Sequence, residues 1–462
     1  MENSMKKIVW LFLMYIAIAI LYYGNYVFAE QSDNPFRDWG NGILVYVTQQ
    51  GTDDIGVIDP VKMKKIGSIK GVGGDNHNCF TSYDGMYLYV TAGAEIVKVS
   101  LRGKKGGKVV ARKELMSNNN YSHANISPKH VHTKTHLAHA ALTLDCKYLY
   151  ISDGKDNVMV VNADTLEVEK TINMSAGLDD VIKIVKSELG ESWDDTDSNP
   201  HGLAIHPGGK YIYVPLVWSG AVAVIDTKDN EVVKTLNLNA SDSNQQGHGT
   251  VPAALGFSAD GHWCFVSCAA PGYICILDTS DPTNPKIETT VPVGLSPIQV
   301  PANPTNRYFI APCLTSSLLN NEPSLVPDPV INNSEWIDWI NNNKDTAIDL
   351  VEALLSALHT GTPVDPNDNE PDACFIVEIE DNYDHDGTSW EVIDTIEIGV
   401  GPHGVSYTPG GQIAFVTLSQ EKPGKVAALA ETKPGEFKII RSIKVGTFPN
   451  GIATRFGRNQ NM

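Results

Sequence analysis

The sequence predicts an all-β fold, a seven-bladed β-propeller whose N- and C-terminal strands close one blade. A recurring unit and its incomplete last copy are the observations behind this prediction. The unit is clearest at 199–226, NPHGLAIHPGGKYIYVPLVWSGAVAVID, where alternating apolar strands are separated by polar and Gly-containing turns. Period-2 alternation with such turns is typical of antiparallel strands, and recurrence every roughly 40–50 residues indicates propeller blades.

Seven copies align on the second residue of the hairpin turn that follows the first strand of each unit. These turn residues are Gly85, Cys146, Gly209, Gly261, Asn306, Gly411 and Gly457. The two shortest gaps, 45 and 46 residues, match one four-stranded blade each, and the longer gaps carry insertions.

The last copy, at 448–457, supplies a single strand. The segments 43–49, 55–59 and 64–70 near the N-terminus supply the three strands that it lacks. We therefore predict a seventh blade built from both ends of the chain. Ring closure of this kind leaves no long unpaired sheet edge.

The first complete blade covers about 75–113 and is followed by a His-rich insertion at about 116–136. The second blade begins at 137, and an insertion at about 179–195 separates it from the third. Apolar residues recur in this second insertion with helical spacing, so we expect a short helix there.

The fourth and sixth blades are regular, whereas the fifth is interrupted by an insertion at about 315–371. The apolar stripe within this insertion predicts an amphipathic helix. The helix either packs on the propeller rim or docks a partner, since long insertions in compact folds are often functional. In total the propeller is expected to cover 43–457, between a polar lead-in at 30–42 and a short tail at 458–462.

The first 29 residues have the layout of a secretory signal. Lys6 and Lys7 precede an apolar run from Ile8 to Tyr22, and Val27-Phe28-Ala29 resembles a cleavage site. We expect an exported, periplasmic or otherwise extracytoplasmic protein. The alternative is an uncleaved anchor, which would be the chain's one attachment to a membrane.

The charge balance argues against one class of partner. The chain carries a net charge of −19, and Lys6, Lys7 and Glu2 give the signal segment +1, so the remainder carries −20. Nucleic-acid binding needs a basic surface and is not expected. A negative surface favours solubility and cationic partners.

The seven cysteines do not have the spacing of a disulfide framework, although Cys264 and Cys275 are candidates for a disulfide across one hairpin. No CxxCH motif occurs, so we expect no covalently bound haem on this chain.

Histidines recur where the inner strands begin. The five candidates for metal ligands are His77, His139, His201, His248 and His403, whereas the fifth and seventh blades have Ser296-Pro297 and Asn450 in the same place. The starts of the inner strands converge on one mouth of a propeller's central channel. Imidazole nitrogens suit copper, iron, nickel and zinc, so these histidines predict a metal site. The alternative is that the Pro-His-Gly sequences at His201 and His403 are structural turns.

The chain resembles the YVTN-type seven-bladed propellers. The resemblance lies in YLYVT at 87–91, YLYIS at 148–152, YIYVP at 211–215, AVAVIDT at 221–227 and the PHG sequences. Nitrous oxide reductase and thiocyanate dehydrogenase, in the wider group, place axial histidines around copper. The propeller subunit of hydrazine synthase carries no cofactor of its own and assembles with haem-bearing subunits.

The resemblance, the absence of haem motifs, the negative charge and the long insertions leave three functions open. The first is a cofactor-free subunit that binds a partner or substrate in a redox complex of nitrogen metabolism, with haem-bearing proteins as partners. The second is a copper-dependent periplasmic oxidoreductase with its histidine site at the channel mouth, where Asp75 or Asp145 would assist the ligands. The third is a binding propeller without redox chemistry.

Overall fold

The computed structural model describes residues 42–116, 137–178, 198–238, 251–269, 272–316, 370–379 and 390–455, together with Lys183, 241–242, 245–246 and Asn342. The signal segment, most of the three predicted insertions and His248 lie outside this part of the chain.

The described residues form 29 strands and one 3-10 turn, at Gly103–Lys105. The strands in the first half of the chain are β1 Leu44–Gln49, β2 Asp54–Asp59, β3 Lys64–Ile69, β4 Asn76–Thr81, β5 Tyr87–Ala92, β6 Glu95–Ser100, β7 Lys108–Glu114, β8 Ala140–Leu142, β9 Tyr148–Ser152, β10 Asn157–Asn162, β11 Val168–Asn173, β12 Ala204–Ile205, β13 Tyr211–Leu216, β14 Ala221–Asp226 and β15 Glu231–Asn237.

The strands in the second half are β16 Ser241–Asp242, β17 Gln245–Gln246, β18 Pro252–Phe257, β19 Trp263–Cys268, β20 Tyr273–Asp278, β21 Lys286–Pro292, β22 Tyr308–Pro312, β23 Asp372–Glu378, β24 Val392–Gly399, β25 Pro402–Tyr407, β26 Ile413–Leu418, β27 Lys425–Lys433, β28 Glu436–Lys444 and β29 Pro449–Arg455.

These strands form the seven predicted blades, which we number 1 to 7. Blades 1, 2, 3, 4 and 6 are the sheets β4–β7, β8–β11, β12–β15, β18–β21 and β25–β28. Blade 5 consists of β22, β23 and β24, and its inner segment is joined to it by the bridges Pro297–Cys313 and Ala302–Phe309. A short hairpin, β16–β17, precedes blade 4.

The predicted closure of the ring is confirmed. Blade 7 has the strand order β29-β1-β2-β3, so one C-terminal strand completes three N-terminal ones. Strand β29 runs antiparallel to β1, with Ala453 opposite Tyr46 and Arg455 opposite Leu44. All seven residues of β29 are buried, so the closing strand is part of the core.

The hairpin turns used to align the repeats are also confirmed. The backbone φ is positive at all six of the alignment residues that are described, from 59° at Asn306 to 79° at Gly261. Glycine adopts this conformation readily, which explains why four of the six turns use it.

The hydrophobic core lies between neighbouring blades. One cluster joins Tyr46 and Val57 of blade 7 to Leu88 and Val97 of blade 1. Another cluster joins Tyr150 of blade 2 to Ile212 and Ala223 of blade 3, among other residues. Each blade is therefore stabilised by its two neighbours, whereas outermost strands such as β15 and β28 keep mostly exposed residues.

Glycines allow the inner strands to approach closely near the axis. A Cβ added at Gly404 would lie 2.4 Å from the carbonyl oxygen of Asn450 in the next blade. A Cβ at Gly202 would similarly lie 2.5 Å from the Cβ of Ala254. The glycine of each Pro-His-Gly sequence is thus required by the packing of blade against blade.

We expect Gly404→Ala to lower the free energy of unfolding by about 1–3 kcal/mol, as overpacked substitutions in tight interiors do. Chemical denaturation followed by circular dichroism measures the change. Gly42→Ala is the matched control, because a Cβ at Gly42 meets no atom within 4 Å. Equal stability of the two variants would contradict this account of the close approach.

All seven cysteines are free thiols, and Cys264 lies opposite Leu277 while Cys275 lies opposite Val266. The candidate disulfide between Cys264 and Cys275 is therefore absent from this structure.

None of the helices within the described ranges has the length and apolar character needed to cross a membrane.

Candidate metal centre

One backbone hydrogen bond recurs in the first hairpin of the blades and aligns them residue by residue. Its N–H donor is Ser82 in blade 1, His206 in blade 3 and Thr408 in blade 6, with equivalent donors in blades 2, 4 and 5. We call the residue five positions before this donor the axial residue, and in blade 7 the strand register identifies it. From blade 1 to blade 7 the axial residues are His77, Ala138, His201, Ala253, Ile298, His403 and Asn450.

The axial residues of blades 1, 4, 6 and 7 coincide with irregularities in the strand register. The pairing shifts between Asn76 and Asn78 in blade 1, and between Pro402 and Val405 in blade 6. A β-bulge bends its strand and changes the direction of the side chain at that position. This local irregularity therefore turns His77 and His403 toward the axis.

Hydroxyl groups from the second strand of four blades hold the axial backbone of the next blade. Thr48 donates to the carbonyl of His77 at 3.2 Å, and Ser152 donates to that of His201 at 2.8 Å. Thr91 and Thr417 make the same contact with Ala138 and Asn450. These hydroxyls occupy the third place of the Tyr-Val-Thr-like sequences, so the repeated motif fixes the positions of the axial residues.

Four histidines meet in the channel. The centroids of the His139 and His201 rings lie 4.8 Å apart, and those of His77 lie 5.3 Å from His139 and 5.7 Å from His201. The ring of His403 is 6.4 Å from that of His77. All four side chains are buried, with 6% of His139 exposed and 1% or less of the others.

Three of these side chains have the geometry of a ligand set. One ring nitrogen from each of His77, His139 and His201 lies within 4.8 Å of the other two. Three imidazole nitrogens bound to one ion at about 2.0–2.1 Å lie about 3.3–3.6 Å apart. The three rings would therefore have to approach one another by up to about 1.4 Å to bind one ion.

The sequence prediction placed His139 in the same position as the other histidines, and this was wrong by one residue. The axial residue of blade 2 is Ala138, whose carbonyl accepts the hydroxyl of Thr91. The ring of His139 still joins the cluster because the following position faces the next blade, where His201 lies. The small Ala138 side chain takes the place that an imidazole fills in blade 1.

His248 lies outside the described residues, and the axial residue of blade 4 is Ala253. The axial residue of blade 5 is Ile298, which follows Ser296-Pro297. Asn450 occupies the axial position of blade 7, as predicted. Around the axis, the order from blade 6 to blade 3 is thus His403, Asn450, His77, His139, His201, and the two remaining positions are apolar.

The next blade fixes the tautomer of His201. Its Nδ1 lies 2.8 Å from the carbonyl oxygen of Ala253. A carbonyl oxygen can only accept, so Nδ1 carries the proton and the Nε2 lone pair points away from this bond. This is the arrangement that metal-binding histidines commonly have.

A chain of polar side chains sets the tautomer of His77 in the opposite sense. Gln50 donates from Nε2 to Asp75, and Asn450 donates from Nδ2 to Gln50 and to Nδ1 of His77, each at 3.2 Å. Because Nδ1 accepts, a neutral His77 carries its proton on Nε2. Binding of a metal at that atom therefore requires this proton to leave or the two amides to reverse.

His403 differs from the other three histidines in its surroundings. Neither of its ring nitrogens has a hydrogen-bond partner among the described residues. Burial, and to a lesser degree the proximity of His201, lowers the pKa of His403 to about 3. The ring is therefore neutral at ordinary pH.

Other candidate groups lie elsewhere or are unsuited to a metal. Asp145 accepts hydrogen bonds from Thr143 and Lys147 in a hairpin turn, whereas Asp75 reaches His77 through Gln50 and Asn450. Burial raises the pKa of the Cys79 thiol to about 12, so it stays protonated. His206 bonds to Gly261 and Gly208 and packs against Tyr213, which makes it a structural residue.

Sequence reasoning missed the parts played by Gln50, by Asn450 as a partner of His77, and by the carbonyl of Ala253. One available signal pointed to the offset in blade 2. His77, His201 and His403 each precede their turn residue by eight positions, whereas His139 precedes Cys146 by seven. No comparable signal in the sequence identifies the cross-blade partner of His201.

Neither a family model nor a curated protein sequence matches the chain. Solved structures do match it over most of its length. A periplasmic gluconolactonase from Pseudomonas aeruginosa has a TM-score of 0.57 and 13% identity, over 90% of this chain and 99% of that one. A functionally unknown protein from Desulfotomaculum acetoxidans has a TM-score of 0.56 and 14% identity, over 89% and 98%.

Hydrazine synthase from Kuenenia stuttgartiensis is a third structural neighbour. Its TM-score is 0.50 at 15% identity, and the match covers 82% of this chain and 89% of that one. Identities this low show the propeller fold alone, because one fold carries many functions.

Proposed function

We propose that this protein is an exported propeller of the YVTN type that binds a transition-metal ion on its axis. His77, His139 and His201 would hold the ion, and copper is the metal that this ligand set favours. The ion would serve redox chemistry on a small molecule, which makes the protein a periplasmic oxidoreductase.

The observation that carries the proposal is the mutual approach of three buried imidazoles from three consecutive blades. They come from places in the chain 62 residues apart in each case, at His77, His139 and His201. Buried polar side chains gathered without carboxylates or thiolates suit a borderline metal bound by nitrogen. Among divalent ions, copper binds nitrogen ligands most strongly.

Rigid strands support such a site better than loops do. The backbone at two of these positions is held by hydroxyls of the preceding blade, as described for Thr48 and Ser152. Binding energy is then not spent on ordering the ligands.

Metal analysis tests the proposal. The purified mature protein is incubated with one equivalent of Cu(II), desalted and analysed for metal by mass spectrometry and for nitrogen coordination by electron paramagnetic resonance. One tightly held copper with nitrogen hyperfine structure is expected. A protein that retains no copper, zinc, nickel or iron above background would refute the proposal.

The tautomer of His77 gives a second and independent prediction. In Asn450→Asp a carboxylate replaces the amide donor opposite Nδ1, so Nδ1 carries the proton and Nε2 becomes the ligand atom. Copper affinity is expected to rise by about 10-fold, within the range that hydrogen-bond partners of metal-bound histidines contribute. Competition with a chromophoric chelator measures it. Asn450→Leu is the control, and a lower or unchanged affinity in the Asp variant would contradict the assigned role of Nε2.

A second candidate function is a cofactor-free subunit of a redox complex in nitrogen metabolism, bound to haem-bearing proteins. The observation in its favour is the fold-level likeness to hydrazine synthase. Affinity purification from the native organism tests it. Metal-free protein that co-purifies with haem proteins would favour the subunit, and copper-loaded protein without them would favour the oxidoreductase.

A further inference from the structure

Four imidazoles lie near the axis, yet only three of them form a compact ligand set. One ring nitrogen from each of His77, His139 and His201 lies within 4.8 Å of the other two, and His403 is not part of this group. The ring centroid of His403 lies 6.4 Å from that of His77, beyond the 4.8–5.7 Å that separates the other three rings from one another. The fourth histidine is therefore set back from the other three.

The position of His403 around the axis sets it apart as well. Between it and His77 lies blade 7, with Asn450 in the axial position. On its other side lie the apolar axial residues of blades 4 and 5, Ala253 and Ile298. Of the axial residues of blades 4, 5 and 6, His403 is therefore the one whose side chain can form a hydrogen bond.

His403 has unused hydrogen-bonding capacity in a place where such capacity is costly. Its side chain is 1% exposed, and both ring nitrogens lack a hydrogen-bond partner among the described residues. A buried polar group without a partner loses its hydrogen bonds to water and gains none in return. Groups of this kind in native proteins call for an explanation, and an absent ligand is one.

We propose that His403 donates a hydrogen bond to a small molecule bound to the metal, and that it is not itself a metal ligand. The molecule would be small, would bind the ion through one atom and would accept a hydrogen bond through another. Azide and nitrite belong to this chemical class. This inference rests on the proposed metal site and adds the group that recognises what binds there.

Azide binding to the copper-loaded protein tests the inference, because azide bound to Cu(II) gives a charge-transfer band that can be titrated. The variants are His403→Leu and His403→Phe, which remove the donor, and His403→Gln, which retains one. Circular dichroism and thermal unfolding identify which apolar variant is folded, and that variant is used. We expect copper affinity and the nitrogen hyperfine pattern to match the wild type, with azide affinity lowered about 10-fold, the loss typical of one hydrogen bond to a charged group. The Gln variant should recover part of that loss.

Two results would overturn the assignment. If the apolar variant binds copper 100-fold or more weakly, His403 is a ligand. If azide affinity equals that of the wild type, the ring does not contact the bound molecule. Wild-type protein that takes up no copper is a separate outcome, since it refutes the metal site before His403 is tested.

Discussion

The double variant His139→Ala, His201→Ala is expected to lose copper completely under conditions in which the wild type retains one ion. Only one of the three proposed ligands, His77, remains in this variant, and a single imidazole does not hold a metal against desalting. The loss should far exceed the roughly 10- to 100-fold effects produced by changing the hydrogen-bond partners of ligands. Metal analysis by mass spectrometry and the disappearance of the nitrogen-coupled resonance signal measure it.

The matched control is His262→Ala. His262 lies in the turn that follows the inner strand of blade 4, where its backbone N–H bonds to Asp260. This variant removes an imidazole that lies nine residues after Ala253, the axial residue of blade 4. It should retain the full copper content. Copper loss in both variants would show that binding is not confined to the axis, and retention in the double variant would remove these histidines from the site.

A chain that ends at Gly446 is expected to lose cooperative unfolding. This truncation removes β29, whose seven residues are all buried against β1 and the neighbouring blades. Without it, β1 becomes a long unpaired edge and the faces of blades 6 and 1 that pack on β29 are exposed. Thermal denaturation followed by circular dichroism, together with the binding of a hydrophobic dye, measures the effect.

The control for this truncation is a chain that ends at Arg455, which keeps the whole closing strand. It should unfold at the wild-type temperature in a single transition. If the chain that ends at Gly446 also unfolds in one sharp transition near that temperature, ring closure is not required for stability. In that case the positions of the axial histidines cannot depend on it either.

The two predictions are connected, because the metal centre depends on the ring. His77 belongs to the blade that follows the closing strand, and its Nδ1 contacts Asn450 within that strand. The hydroxyl of Thr48, in β1, bonds both to Gly451 and to His77. Loss of β29 should therefore abolish copper binding together with the fold.

Much of the architecture could be predicted from the sequence, because its determinants are local. Alternation along each strand and the residues that accept positive φ specify the hairpins. The correct turns were identified even where Cys146 and Asn306 stand in place of glycine. The incomplete last unit was enough to predict closure, since one strand at the C-terminus and three at the N-terminus together form a four-stranded blade.

The candidate site was only partly predictable. His77, His201 and His403 were placed on the axis by their Pro-His-Gly or equivalent context, and the structure brings them together. His139 was assigned one position away from its true place, and Ala253 was not recognised as the axial residue of blade 4. The offset of His139 was readable from its seven-residue spacing to Cys146, whereas the axial residue of blade 4 is identified by a backbone hydrogen bond that the sequence does not show.

The sequence by itself determined seven blades and their turns, because these depend on neighbours along the chain. It also determined the joining of the two ends, because the single C-terminal strand and the three N-terminal strands together make one complete blade. The tertiary structure alone decided which ring atoms meet, which nitrogen of His201 carries a proton and which of the four histidines is set back. These properties depend on contacts such as that between Nδ1 of His201 and the carbonyl of Ala253, which join different blades. Only the packing of one blade on the next brings such atoms within hydrogen-bonding distance.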